Sequence, residues 1–443
     1  MGMIQSVSGA RGRVGEDFTA EACFKLAAAF GNFLPKGPVL IGRDSRPSGK
    51  TARQSVAAGL LLTGHQVVDL GLVPTPAVGF AVPVLKARGA VVITASHNPA
   101  EWNGLKFLDD RGLYLGPESL RSVYAPDRTT DPAGRGSGDE SVPADILNDY
   151  LDAVVEQVDL RLLKKRRLKV VVDAVNGAAG YPAARLLERL GAEFFLLNGE
   201  PTGLFTHPPE PRPEHLGQLA EEVRRREADL GLALDPDGDR LALISESGIP
   251  LSEELTLAFC VEAVLEKKPG GVVTNLSTSQ MVEEIAARFA VPFERTPVGE
   301  FFVARRMLEL DAVIGGEGNG GVILPACHPG RDGLVAAALL LELLARRNEP
   351  VSRLAARLDR FCLLKERVEI VGGRPPEPDR LKLDALFNGI QPDTRDGLRY
   401  SGPGWWCHIR VSNTEPIVRI LAEAADREAA ARIVEGVRGL LRS

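Results

Sequence analysis

Short apolar runs, each closed by a polar or glycine-containing turn, recur along this chain at intervals that leave room for one helix between them. Residues 38–42, 66–69 and 89–94 are rich in β-branched side chains and too short for helices, while 49–63 and the segment after Pro76 carry apolar residues at helical spacing. Strand, helix, strand in repetition leaves few foldings: a mostly parallel sheet with right-handed crossovers. The order returns with strand 168–173, helix 183–190 and strand 229–234, and again with helix 253–265, strand 271–275 and helix 280–289. Three such units read as duplicated α/β domains. Beyond Leu363 the pattern changes to strands at 366–371, 397–401, 405–411 and 417–422 and a closing helix at 427–441, a small α+β domain. Residues 126–143 and the Pro-rich 374–378 read as linkers.

A length of 443 residues is room for roughly three domains, and 44% hydrophobic with 25% charged residues is ordinary for a chain with several cores. The net charge of −6 and the shortness of the basic clusters Lys164-Lys165-Arg166-Arg167 and Arg224-Arg225-Arg226 argue against a nucleic-acid partner; both clusters read as helix ends or solvated faces. Five scattered cysteines without a Cys-x-x-Cys pair fit a reducing compartment rather than a zinc site. No apolar run reaches about eighteen residues, so no membrane span is expected and the location expected is cytoplasmic.

The strongest chemical signal is Asp235-Pro236-Asp237-Gly238-Asp239-Arg240. Three carboxylates at alternate positions on a bent loop can converge on one hard cation, which prefers oxygen ligands. An EF-hand is excluded because Arg240 takes the position of the required glycine and both flanks are strand-like. Asp235 as the nucleophile of an aspartyl-phosphate enzyme stays open. Thr94-Ala95-Ser96-His97-Asn98-Pro99 ends a buried strand where α/β sheets bind ligands, though on local grounds alone Ser96 is only a turn residue. Gly315-Gly316-Glu317-Gly318-Asn319-Gly320-Gly321 offers a carboxylate and an amide that can grip sugar hydroxyls, and in isolation it reads equally as a bare β-turn cluster. Arg410-Val411-Ser412-Asn413-Thr414, with Arg419 beyond, offers what a phosphate needs; the arginines of the polar loop 42–49 are open to reading as plain ion pairs.

In this order, the Ser96 loop with Asn103-Gly104-Leu105-Lys106, the aspartate loop, the 315–321 loop and the 410–416 loop resemble the α-D-phosphohexomutase superfamily, which includes phosphoglucomutase/phosphomannomutase and phosphoglucosamine mutase. The 42–49 loop, Gly71-Leu72-Val73-Pro74-Thr75-Pro76 and Asp173 with Asn176-Gly177-Ala178-Ala179-Gly180 match it too, so the resemblance spans the chain. It implies four domains around a central cleft, here at 1–143, 144–247, 248–362 and 363–443. It further implies that Ser96 carries a phosphoryl group, and that Asp235, Asp237 and Asp239 hold Mg²⁺ together with the Ser96 oxygen. Lys106 would be the general acid/base, Arg240 a substrate contact, and Arg11 and His97 supports near the serine. Glu317 and Asn319 would hold sugar hydroxyls; Arg410, Ser412, Asn413, Thr414 and Arg419 would hold the phosphate that does not react. The implied activity interconverts hexose 1- and 6-phosphates of glucosamine, mannose or glucose through a hexose 1,6-bisphosphate. The partners implied are small sugar phosphates, on a monomer or homodimer. Its rivals are a sugar phosphatase using Asp235 and a non-catalytic sugar-phosphate-binding protein. The chain departs from the common pattern at Gln5-Ser6-Val7-Ser8, at Asn319 and Gly321, which stand for Ser and His, and at the variable position Glu300.

Overall fold

The computed structural model describes residues 3–125, 140–141, 145–358, 360–369, 380–412 and 417–442. Four sheets organise them. The first orders Ile4–Ser6, Gly9–Arg13, Trp102–Leu108, Gly89–Ile93, Pro38–Arg43, Gln66–Leu72 and Glu140–Ser141. The second orders Leu241–Ser245, Leu230–Leu234, Lys169–Asp173 and Glu193–Leu197. The third orders Phe293–Thr296, Val272–Asn275, Ile314–Glu317, Gly321–Leu324 and His328–Arg331. The fourth is fully antiparallel, in the order Cys362–Glu369, Ile417–Ala424, Trp405–Val411, Leu398–Gly402. The architecture is three α/β mixed-sheet units and a closing α+β unit.

The first sheet is not mostly parallel, as the strand-helix alternation implied. Parallel pairing joins Gly89–Ile93, Pro38–Arg43, Gln66–Leu72 and Glu140–Ser141, but Ile4–Ser6, Gly9–Arg13 and Trp102–Leu108 pair antiparallel. The cause is local. Trp102–Leu108 follows the Ser96 loop with no helix between, so the chain turns back beside the strand it has just left. Glu140–Ser141, inside the stretch read as a linker, adds a short strand against Val67 and Val68. Most of that stretch, and 374–378, lie outside the described residues.

The same return occurs three times. Gly89–Ile93, Leu230–Leu234 and Ile314–Glu317 are fully buried strands with parallel neighbours. Each runs into a polar loop and comes straight back as an antiparallel strand: Trp102–Leu108, Leu241–Ser245 and Gly321–Leu324. The Ser96 loop, the aspartate loop and the 315–321 loop are therefore turns of one recurring device, each at the carboxyl end of a buried strand.

One apolar cluster runs through all three of these units, including Val78, Tyr150, Leu186, Leu232, Leu257 and Leu339. Helix Gly333–Arg347 is buried nearly all round within it. Asp332 caps that helix by accepting from the N–H groups of Leu334 and Val335, which fixes the backbone immediately after Arg331. The closing unit has its own core, built on Tyr400, Cys407, Ile420 and Val437. The basic clusters end helices Leu160–Arg166 and Gly217–Arg226, where they complement the helix dipole. Among the described residues no helix is long and apolar enough to cross a membrane.

Candidate active site

Ser96 is fully buried and has a φ of 51°, the left-handed region that serine seldom occupies. Its N–H donates to Thr94 Oγ1 at 2.9 Å, and that hydroxyl donates to Asp44 Oδ2 at 2.6 Å. Arg46 Nη2 donates to the Ser96 carbonyl at 2.7 Å and the Asn98 carbonyl at 2.6 Å, and Arg11 Nη1 donates to Asn98 Oδ1 at 2.8 Å. Arg46 does make an ion pair, 3.5 Å from Asp44, but it also clamps the serine loop. The serine hydroxyl then faces the second unit: Ser96 Oγ donates to Asp235 Oδ2 at 2.9 Å and lies 3.4 Å from His97 Nδ1.

Asp235, Asp237 and Asp239 are buried, and each offers a carboxylate oxygen within 4.8 Å of the others. Thr75 binds Asp237 twice, Oγ1 to Oδ2 at 2.6 Å and N–H to carbonyl at 2.9 Å. Lys106, on the return strand from Ser96, sits between two of the acids: Nζ is 2.7 Å from Asp237 Oδ2 and 3.3 Å from Asp239 Oδ2. Burial and the charges of Asp239 and Asp237 push the Asp235 carboxyl well above its ordinary range. For Asp237 burial acts the same way, but Lys106 and the Thr75 hydroxyl together hold it below its ordinary range, and for Asp239 Arg331, Lys106 and Arg240 together do. Burial opposes charge on Lys106, yet Asp237 and its neighbours hold the ammonium well above its usual range. Burial, then Arg240 and Arg11, pushes His97 well below its ordinary range.

The donor set fits a hard divalent cation. Two buried oxygens, Asp237 Oδ1 and Asp239 Oδ1, have no hydrogen-bond partner, and a buried acceptor without one is costly unless a cation supplies the contact.

Arg331 ties this cluster to the third unit. Its guanidinium donates to Asp239 Oδ2 at 2.7 Å, Glu300 Oε2 at 2.8 Å and Glu317 Oε2 at 2.9 Å. Glu317 Oε1 accepts from Asn275 Nδ2 at 2.8 Å and from the Gly299 N–H at 3.1 Å, so most of its capacity is already engaged. Asn319 is half-buried beside it. The Leu241 N–H, just past the aspartate loop, donates to the Gly320 carbonyl, and the Gly333 N–H, at the start of helix Gly333–Arg347, donates to the Gly238 carbonyl, each at 3.0 Å.

The fourth sheet presents one face to its helices and the other to the third unit. On that second face Arg367, Arg419 and Arg410 lie directly opposite one another on three adjacent strands. Guanidinium groups aligned in this way can share one anion. Arg410 Nη1 is 3.6 Å from Asp396 Oδ2, and Ser412 follows at the strand end; Asn413 and Thr414 lie outside the described residues. The face seats on the third unit through Ser277 Oγ to His408 Nδ1 at 2.9 Å, Arg399 Nε to the Leu276 carbonyl at 3.0 Å and the Val298 N–H to Asp396 Oδ2 at 2.9 Å. Burial pushes His408 down to about 4, so it is neutral: Nδ1 accepts while Nε2 donates to the Asp396 carbonyl.

Comparison with known proteins places the chain. Models of the phosphoglucomutase/phosphomannomutase α/β/α domains I, II and III match residues 2–131, 148–248 and 252–361, and the model of its C-terminal domain matches 376–440. The chain belongs to the phosphoglucomutase/phosphomannomutase family. It is 37% identical to a phosphoglucomutase/phosphomannomutase of Thermococcus kodakarensis, over 98% of this chain and 97% of that one. It is 32% identical to a phosphoglucosamine/phosphogalactosamine mutase of Sulfurisphaera tokodaii, over 100% and 99% of the two chains. The crystal structure of a family protein from Burkholderia thailandensis superposes with a TM-score of 0.84 at 29% identity, over 99% of this chain and 97% of that one. The protein is an enzyme of the phosphohexomutase superfamily.

Within this phosphoglucomutase/phosphomannomutase frame, Ser96, His97, Lys106, Arg11, Arg240 and the three aspartates come together at one point. Among the described residues Glu317 is joined to them through Arg331, and Arg410, Ser412 and Arg419 stand apart on the fourth sheet. The sequence reading overlooked Arg331, Arg367 and the contact of Thr75 with Asp237. For Arg331 a signal existed: an arginine just before an N-capping aspartate and a long apolar helix has to find carboxylates when it is buried. Arg367 carried no signal, because its alignment depends on strand register.

Proposed function

We propose that this enzyme interconverts hexose 1-phosphates and hexose 6-phosphates, with Ser96 as the carrier of the phosphoryl group. The observation that carries the reading is the 2.9 Å bond from Ser96 Oγ to Asp235, which sets one hydroxyl against three convergent carboxylates with an ammonium between two of them. Asp235, Asp237 and Asp239 would hold Mg²⁺, which when bound supplies positive charge against the transferring group. The transfer breaks the bond from phosphorus to Ser96 Oγ and forms one to the sugar hydroxyl, which gives up its proton while Ser96 Oγ regains one. Lys106, charged at rest, donates on one side of the exchange and recovers a proton on the other. The hexose 1,6-bisphosphate so formed turns round, and its other phosphoryl group returns to Ser96.

Holding the sugar in two orientations falls to the other loops. Arg410, Ser412, Asn413, Thr414 and Arg419 hold the phosphate that does not react, Glu317 and Asn319 hold the hydroxyls, and Arg11, His97 and Arg240 line the serine. Catalysis on this arrangement is positioning and electrostatics. The names of the relatives direct the choice of substrates to glucose, mannose and glucosamine phosphates.

A coupled assay across glucose, mannose and glucosamine 1-phosphates, with trace 1,6-bisphosphate and Mg²⁺, tests this reading. The expected result is 6-phosphate formation without release of inorganic phosphate, lost on chelation and restored by Mg²⁺. Steady phosphate release without isomerisation would point instead to a phosphatase using Asp235, and binding without turnover to a sugar-phosphate-binding protein.

A further inference from the structure

The second unit holds more than the aspartate loop. Asp173 ends strand Lys169–Asp173, and its Oδ1 accepts from the Val175 N–H at 2.9 Å and Asn198 Nδ2 at 3.0 Å. Its Oδ2 lies 3.0 Å from His207 Nε2, while His207 Nδ1 lies 2.9 Å from the Pro208 carbonyl. The Pro208 carbonyl can only accept, so Nδ1 donates there, and although burial opposes charge on the ring the Asp173 side chain holds His207 above its ordinary range. Asn176 links the two loops that leave this pair: its carbonyl accepts from the Gly203 N–H at 3.2 Å and its Nδ2 donates to the Leu204 carbonyl at 2.9 Å.

Each loop ends on one half of the phosphoryl-transfer site. The first packs on the aspartate loop: the Ala178 N–H donates to the Pro236 carbonyl at 2.7 Å, and a Cβ on Gly177 would stand 2.6 Å from that oxygen. The second reaches the first unit. Gly203, at a φ of +69°, lies so close that a Cβ would stand 2.3 Å from the Ser45 carbonyl oxygen. Two residues on, the Phe205 ring lies under the Arg46 guanidinium, 4.8 Å from its carbon to the ring centroid. Arg46 is fully buried and holds the carbonyls of Ser96 and Asn98. An aromatic face is a partner for the flat side of a guanidinium, whose edge is then left to the two carbonyls.

We propose that Phe205 is a positioning residue for phosphoryl transfer: held by the Asp173–His207 frame, it fixes Arg46 and through it the Ser96 loop, in register with the aspartate loop that the same frame supports. Phe205, Arg46, Asp173 and His207 are not among the groups assigned to the sugar phosphate, so a displaced Ser96 is expected to lower turnover more than sugar-phosphate binding. This inference rests on Ser96 as the carrier, and the experiment separates the two.

Wild type, Phe205→Leu, Phe205→Trp and Phe205→Ala are compared on the preferred hexose 1-phosphate, with thermal unfolding of each. Phe205→Leu keeps most of the apolar volume and removes the ring. It is expected to lower kcat about tenfold or more, with KM within about twofold of wild type and unfolding temperature nearly unchanged. Phe205→Trp, which restores an aromatic face, should recover most of the rate. The second readout is phosphorylation of Ser96 by glucose 1,6-bisphosphate, followed by intact mass, which Phe205→Leu should slow in parallel. A Phe205→Leu enzyme with wild-type kcat, a Phe205→Trp enzyme no better than Phe205→Leu, or losses that track unfolding temperature across the series would overturn the positioning role. If wild type itself never acquires a phosphoryl group on Ser96, it is the carrier reading that fails.

Discussion

Ser96→Ala is expected to lower kcat by at least about 10⁴-fold while leaving the protein folded. The two halves of that statement have separate grounds. In the unphosphorylated protein the hydroxyl donates to Asp235 and lies 3.4 Å from His97 Nδ1, and losing these contacts costs on the order of 1 kcal/mol. The left-handed backbone is held by Arg46 at the Ser96 and Asn98 carbonyls, contacts that do not involve the side chain. Alanine therefore keeps the loop. What it removes is the atom that receives and returns the phosphoryl group, and the neighbouring threonine hydroxyls are already engaged: Thr75 donates to Asp237 and Thr94 to Asp44. Sugar-phosphate binding, measured by calorimetry, should change by less than a few-fold. A Ser96→Ala enzyme retaining more than a few per cent of wild-type turnover would contradict the account.

The second large effect is on stability. Arg331 is the buried counter-charge of Asp239, Glu300 and Glu317, with guanidinium-to-carboxylate distances of 2.7–2.9 Å. Arg331→Met leaves these acids in place without it. Breaking one buried pair costs about 3–5 kcal/mol, and the number of stranded partners puts this substitution at the upper end. The pH dependence has a definite sign. Burial already pushes the Glu300 carboxyl up although Arg331 opposes it, and removing Arg331 raises it further. A carboxyl whose folded value exceeds its unfolded value weakens the fold as pH rises above the unfolded value. The deficit of Arg331→Met should therefore be largest near pH 8 and shrink towards about pH 5, as read from denaturant midpoints across pH. The same variant should lose about a hundredfold or more in kcat, because Glu317 and the aspartate loop share this strut. Arg331→Lys cannot fork to three carboxylates and should fall between.

How much of this was legible in the sequence depended on whether the signal was local. The aspartate loop announces itself because three acids held between apolar runs repel one another unless a cation joins them. The strand that delivers Ser96 was readable from β-branched composition, whereas Ile314–Glu317, half of it glycine, was not read as a strand. The return strand Trp102–Leu108 was not, since its residues carry a buried lysine and an asparagine in place of apolar alternation, and those polar side chains are there for Asp237, Asp239 and Ser48. A functional residue thus disguised the element that holds it. Arg46 was visible but ambiguous, and only the fold shows that its ion pair with Asp44 and its grip on the serine loop coexist. Arg331 and the aligned arginines of the fourth sheet depend on contacts and register that one sequence does not display.

The most direct measurement follows the phosphoryl group itself. The enzyme is incubated with Mg²⁺ and hexose 1,6-bisphosphate carrying labelled phosphate, quenched, and mapped by peptide mass spectrometry, and a portion is chased with unlabelled hexose 1-phosphate. The account predicts one labelled phosphoryl group per chain, on Ser96, stable to hydroxylamine and transferred to sugar in the chase. Label on Asp235 released by hydroxylamine, or turnover with no label on Ser96 at any time, would contradict it.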